Sequence, residues 1–190
     1  MRMFSLLAIA NLLAFASPSI AQVTDGAAPL EALASHPVSQ LVGDWRGSGW
    51  AMQPDRTRHE FEAVERARWN LAGTAIIIEG YGFLDDETGA RQVGHDAFAL
   101  VTWDEESETV KFHARRVGEE FQTYDMTWDA EREALVWYIQ PDRVRFIITV
   151  KDGVWTETGE FSPDGGENWV RFLEMSLRES ASMPSNQSIE

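Results

Sequence analysis

The feature that most constrains this fold is a run of short, strand-like segments joined by short links. Nine segments rich in β-branched and aromatic residues follow the opening stretch LVGDWRGSGW at residues 41–50. Asp, Gly and Pro turn signals separate them, and Asp152-Gly153 is the sharpest, because a two-residue hairpin needs a positive φ that glycine adopts. The links are too short for the crossover helix that parallel strands require, so neighbouring strands should be antiparallel.

Ten consecutive antiparallel strands leave long edges exposed unless the sheet closes on itself. The pattern therefore predicts an all-β fold, an antiparallel up-and-down β-barrel of about ten strands over residues 41–179, with a short N-terminal helix. A barrel of this size is filled by side chains or holds a small ligand. Two alternatives stay open: a two-sheet sandwich, and an amphipathic helix over FEAVERARWNL (residues 61–71).

The two ends of the chain differ in composition from the middle. Residues 1–21 combine Arg2, an apolar run and the small-residue site Ser19-Ile20-Ala21, which predicts a secretory signal peptide cleaved near Ala21 and an exported, periplasmic or secreted protein. A buried N-terminal helix is the alternative. Residues 22–40 predict a linker with a short helix, and residues 180–190, which are small and polar, a disordered tail.

Charge, hydropathy and cysteine content limit the kinds of partner and of covalent or metal crosslink that this chain can have. The formal net charge is −15, so the surface should repel phosphate backbones, and we expect no nucleic-acid partner. Beyond the first residues no apolar run is long enough to span a membrane, so we expect no membrane insertion. The chain has no cysteine, which excludes disulfides and thiolate metal ligands.

The opening stretch places glycines and tryptophan on one face of a strand. Alternation puts Trp45, Gly47 and Gly49 on the same side. If that side faces inward, Trp45 plugs the barrel floor, while the two glycines leave space above it. This interpretation makes all three residues part of a predicted cavity.

Four pieces of the chain resemble a known group of barrels. GDWRG is similar to the G-x-W signature of lipocalin-like proteins of the calycin superfamily, and LVGDWRGSGW resembles the start of nitrobindins. GTAIIIEG, VWTETGEFSPDGGENW and FLEMSL resemble a bacterial family of exported lipocalin-like proteins of unknown function. The resemblance covers most of Leu41–Arg178 and implies a closed barrel with a ligand cavity.

Haem is the cofactor that the nitrobindin resemblance raises. Nitrobindins bind it through a histidine in their last strands, but residues 144–190 contain no histidine. The histidines at 36, 59, 95 and 113 show no metal-ligand spacing. We therefore expect no cofactor and no metal site.

Charged residues within apolar strands are the candidate polar groups of the cavity. A buried carboxylate needs a partner or a raised pKa. The alternative is that each lone acid points outward to water from its barrel strand. The candidate ligand-binding set is Trp45, Gly47, Gly49, Glu79, Arg145, Glu157, Arg171 and Glu174.

These observations favour a non-catalytic function. The apolar strands and the absence of any catalytic triad predict a barrel that binds a small hydrophobic or amphipathic molecule in its cavity. One alternative is a lipocalin-like isomerase or hydrolase that uses a cavity carboxylate such as Glu79 or Glu157. The other is a filled barrel that acts through protein–protein contacts.

Overall fold

The computed structural model describes residues 27–86 and 88–180. One α-helix, α1, spans Ala27–Ser35, and a 3-10 helix follows at Pro37–Leu41. The strands are β1 (Gly43–Met52), β2 (Arg58–Asn70), β3 (Ala75–Asp85), β4 (Arg91–Asp104), β5 (Thr109–Arg116), β6 (Gln122–Asp129), β7 (Ala134–Gln140), β8 (Val144–Lys151), β9 (Val154–Phe161) and β10 (Val170–Glu179). A second 3-10 turn at Leu71–Gly73 joins β2 to β3.

All ten strands form one closed antiparallel barrel. Each strand pairs with its neighbours in the chain, and β1 pairs with β10 to complete the ring. The predicted ten-strand barrel is confirmed, and the sandwich and the helix over residues 61–71 are wrong. Closure gives every strand two hydrogen-bonded neighbours, so the sheet has no free edge.

The hairpin turns follow the predicted chemistry. Asp152 and Gly153 both have positive φ, at 52° and 70°, and they join β8 to β9. Positive φ at both central positions gives the backbone twist that a tight two-residue hairpin requires. The turn predicted from the sequence is therefore confirmed.

The segment before β1 covers one end of the barrel. α1 ends at Ser35. The next residue, His36, accepts a hydrogen bond from the Val38 N–H at the start of the 3-10 helix. Leu33, Val38 and Leu41 are fully buried in the main core cluster. The residue before a proline is displaced from helical geometry, which explains why α1 stops at His36-Pro37. The sequence predicted one short helix here but not the 3-10 helix.

Trp45 lies beneath the cavity at this covered end. Its side chain is 3% exposed, its indole Nε1–H donates to the Leu41 carbonyl at 2.8 Å, and its ring meets Trp155 edge-on at 5.8 Å. Large aromatic side chains contribute strongly to core burial. Trp45 therefore ties the 3-10 helix to the base of the barrel.

Some predictions concern residues that lie outside the described ones. The signal peptide at residues 1–21 and the tail from residue 181 onward belong to this group, as does the first part of the predicted linker. Within residues 27–86 and 88–180, none of the helices has the length and apolar character needed to cross a membrane.

Candidate functional site

The barrel encloses a cavity of about 620 Å³. Ligand sites in proteins usually occupy about 300–1,000 Å³ and are lined mainly by apolar groups with a few polar ones. Side chains from all ten strands line this cavity, and Leu41 of the 3-10 helix contributes from below. The alternative of an interior filled by side chains is therefore wrong for the described part of the chain.

One wall of the cavity is a cluster of aromatic rings. Trp137 on β7 stacks on Phe146 of β8 with a centroid distance of 4.5 Å, and Phe112 and Tyr124 lie 5.1 Å and 5.0 Å from the same indole. Phe172 meets Phe146 edge-on at 5.7 Å. This wall offers a flat, polarisable surface to an apolar or aromatic ligand.

Two carboxyl groups face the same cavity. Glu65 lies on β2 and Glu157 on β9, and both line the interior. Burial raises the pKa of Glu157 to about 7. The Trp155 indole on the same wall lowers this pKa by a smaller amount, although the two groups do not have the geometry of a hydrogen bond. Burial, and next the charge of Glu157, raise the pKa of Glu65 well above its usual range.

Gly80 makes space for the Glu65 side chain. It is paired with Glu65 across β2 and β3, and a Cβ at this position would lie 2.7 Å from both carboxylate oxygens. A larger residue at position 80 would therefore displace the carboxyl group.

Two buried indole groups on the cavity wall lack a hydrogen-bond partner. Trp137 and Trp155 are 8% and 2% exposed, and neither Nε1 atom is paired with any described residue. A buried donor without an acceptor costs free energy. The cavity wall therefore carries polar groups that the described part of the chain does not satisfy.

The open end of the cavity is charged and aromatic. His59, His95, Arg115, Arg116 and Glu119 line it. Burial, and next the neighbouring Arg116 charge, lower the pKa of His95, which favours its neutral imidazole. Arg116 forms an ion pair with Glu119. The mouth is thus more polar than the interior.

The residues predicted for the cavity separate into three groups. Only Glu157 lines it. Trp45 lies beneath the cavity without lining it, and the other six residues, two glycines and four charged residues, are not on its wall.

The interpretation of the two glycines as empty space is wrong. A Cβ on Gly47 would lie 2.0 Å from the Ser176 carbonyl oxygen, and one on Gly49 would lie 2.5 Å from the Glu174 carbonyl oxygen and 2.7 Å from the Phe61 ring. Strand β10 and Phe61 therefore fill the volume that the missing side chains leave. These glycines allow a close approach of strands, not a cavity.

The remaining four charged residues lie away from the interior. Glu79 is exposed because Ile78 and Gly80, on either side of it, face the cavity. Arg145 pairs with Glu160 across β8 and β9 at 2.8 Å, and Arg171 pairs with Glu174 at 2.6 Å. Their placement as cavity groups is wrong: strand alternation directs Glu79, Arg145 and Glu174 outward, and the irregularity between Arg171 and Leu173 breaks the alternation that would direct Arg171 inward.

Glu160 joins these residues into one outer ionic cluster. It lies 2.8 Å from Arg145 and 3.9 Å from Arg171, and the Arg145 guanidinium lies 3.9 Å from the centroid of the Trp169 ring. We use the term outer ionic cluster for Arg145, Glu160, Arg171 and Glu174. Its acidic and basic side chains form ion pairs with one another on the outside of the barrel.

The sequence reasoning missed Glu65 and the mouth histidines. Glu65 lies in HEFEAVERARWN, where acids and bases are so frequent that one inward acid does not stand out. One signal was present: Glu65 has the same strand parity as Phe61, Ala63 and Ala67. No motif in the sequence marks His59 or His95. His113 lies within hydrogen-bond distance of Thr102 and Thr123.

Comparison with known proteins supports the fold alone. No family model matches the chain, and no curated protein sequence matches it significantly. Among solved structures, Rv2717c from M. tuberculosis matches with a TM-score of 0.57 and 11% identity over 79% of this chain and 98% of that chain. The S-type phycobiliprotein lyase CPES from Guillardia theta matches with a TM-score of 0.51 and 14% identity over 76% of this chain and 91% of that chain. The barrel has a calycin-like fold.

Proposed function

We propose that this protein binds a small, mainly apolar molecule inside its barrel. The observation that carries the proposal is the cavity of about 620 Å³ with its aromatic wall. A pocket with apolar walls and a few polar groups is the usual form of a small-molecule site. The likeness to a phycobiliprotein lyase agrees with a barrel that handles a small molecule, and we extend it to this chain only as part of the proposal.

We also propose that the protein works outside the cytoplasm. The supporting feature is the signal-like sequence at residues 1–21, which resembles that of exported proteins. N-terminal sequencing of protein from its own host should return a chain that begins at or near Gln22. Recovery of Met1 from a cytoplasmic fraction would contradict export.

Probe titration tests binding in the cavity. We expect wild-type protein to take up N-phenyl-1-naphthylamine, an uncharged apolar fluorophore, with saturable one-to-one stoichiometry. Ala114→Phe introduces a ring on the cavity wall and should reduce the affinity at least tenfold. Ser176→Phe adds the same ring at an exposed position of β10 and is the matched control.

The possible outcomes separate clearly. Equal loss in both variants, or saturable uptake that Ala114→Phe leaves unchanged, would place the probe outside the cavity. If Ala114→Phe fails to fold, Ala97→Phe fills another point of the same wall. Native mass spectrometry of protein from its host should then show a co-purified small molecule.

A catalytic function remains a second candidate because of one group. Glu157 has a pKa of about 7 inside the cavity, which suits a general acid or base near neutral pH. Glu79, the other carboxylate considered, is exposed and does not reach the cavity. Conversion of the co-purified molecule on incubation, abolished by Glu157→Gln, would favour an enzyme.

We expect no haem in this site. The supporting feature is the lack of histidine after residue 143, although His59 and His95 line the mouth. Added haem should give no sharp, saturable Soret shift. A one-to-one shift lost in His59→Ala or His95→Ala would show that a mouth histidine is a ligand.

A further inference from the structure

Below the mouth with its histidines and arginines, the ionisable groups of the cavity wall, tyrosines aside, are the two carboxyls of Glu65 and Glu157. None of the hydrogen bonds and ion pairs among the described residues involves Glu65 or Glu157, although the Trp155 indole is near enough to lower the pKa of Glu157. The charged group that acts on Glu65 is Glu157, and it has the same sign. Burying a carboxylate without a cation or donor is unfavourable, so this pair provides a strong electrostatic preference for a positive guest.

The Trp155 indole beside Glu157 is a further polar group of the cavity wall that forms no hydrogen bond. Its ring is on the same face of β9 as Glu157, two residues away, and its Nε1–H has no acceptor among the described residues. If a cation ionised Glu157, the carboxylate would become a stronger acceptor for this donor. A positive guest would thus satisfy both groups.

The aromatic wall lies close enough to serve the same guest. Phe146 and Phe172 pack over Gly159, where a Cβ would lie 3.0 Å and 2.8 Å from their rings. Gly159 is two residues from Glu157 on the inward face of β9. Aromatic faces attract cations through their quadrupole, and they also bury an apolar body.

We propose that the ligand is an organic cation, with a small apolar or aromatic body on the aromatic wall and one basic nitrogen at Glu65 and Glu157. This inference rests on the proposed function, since it assigns the ligand class for the same cavity. The net charge of −15 adds to it, because a negative protein concentrates cations around its surface. A carboxylate of similar shape should be disfavoured at the same place.

Three ligands with the same ring system test the charge preference. Calorimetric titration of the wild-type chain at pH 7.5 compares 1-naphthylmethylamine, 1-naphthylmethanol and 1-naphthoate. We expect the amine to bind at least tenfold more tightly than the alcohol, and the naphthoate to bind most weakly. Amine and alcohol of equal affinity would overturn the inference and leave the proposed function intact.

Variants locate the preference at the carboxyl pair. The double variant Glu65→Gln with Glu157→Gln should bring amine and alcohol within threefold of each other while the alcohol keeps its wild-type affinity. Glu79→Gln removes an exposed acid next to Gly80 and should retain the full preference. A preference that survives in the double variant would place the nitrogen elsewhere. If the double variant does not fold, each single variant should still weaken the amine selectively.

The failure of the broader proposal has a different signature. If neither the naphthyl compounds nor N-phenyl-1-naphthylamine enters the wild-type cavity, the proposed function falls, and this inference falls with it. Uptake of the uncharged fluorophore without preference for the amine removes only the inference.

Discussion

The interior carboxyl pair and the outer ionic cluster place glutamates in opposite environments. Glu157 and Glu160 are three residues apart on β9, yet one faces the cavity without a partner and the other lies between two arginines. Glu160 belongs to a network that satisfies it within the chain. Glu157 and Glu65 have no such network among the described residues, and this contrast is why our proposal places the ligand beside them.

The largest expected effect tests the interior side of this contrast. The folded chain holds the Glu157 proton more tightly than the unfolded chain, since its pKa rises from 4.5 to about 7. Stability from this group is therefore fully present below pH 4.5 and is lost as the pH rises to about 7, by about 3 kcal/mol. Glu157→Gln should stabilise the protein by about that amount at pH 8 and by almost nothing at pH 4, measured by urea unfolding. Equal effects at both pH values would contradict the assignment.

Substitution of two glycines compares a position filled by strand backbone with a position that faces the cavity. Gly47→Ala places a methyl group against strand backbone and should destabilise the protein by about 3 kcal/mol. Gly80→Ala meets only the end of the Glu65 side chain, which can move, and should cost less than about 1 kcal/mol. Thermal unfolding of both variants measures the difference. If the Gly80→Ala variant is as unstable as the Gly47→Ala variant, the Glu65 side chain is held rigidly and cannot move aside.

The outer ionic cluster gives a smaller expected effect with a different dependence. Arg145 and Glu160 are 15% and 13% exposed, between a surface pair and a buried one. Glu160→Gln should therefore destabilise the protein by about 2 kcal/mol. The loss should shrink as salt is raised from 0.05 M to 1 M, because screening weakens partly exposed pairs. A salt-independent loss would indicate packing as the cause.

The smallest expected effect belongs to the exposed acid. Glu79→Gln should change the free energy of unfolding by less than about 0.5 kcal/mol, because its side chain is in solvent. Chemical denaturation at pH 4 and pH 8 checks this. A pH-dependent change like that of Glu157→Gln would erase the distinction between the two faces of the barrel.

Turn signals and short links were enough to predict the fold from the sequence. Predicting the site also required the strand register, which determines which side chains face inward. Asp152-Gly153 and the short links determine antiparallel neighbours, and neighbours in order close into a barrel. In AIIIEGYGF, however, apolar residues occupy both faces, so parity does not assign Glu79 to a side. Gly49 shows the other limit, because the sequence reveals a missing side chain but not that Phe61 and β10 occupy its place.

The covered floor also has a kinetic consequence. Since the 3-10 helix and Trp45 cover one end of the described barrel, we expect a molecule that binds in the cavity to enter and leave through the opposite end. A bulkier side chain at the mouth that does not touch the bound molecule should slow association and dissociation by the same factor and leave the equilibrium constant unchanged. The residence time of a bound molecule then depends on the side chains at the mouth, and its affinity depends on the side chains deeper in the cavity.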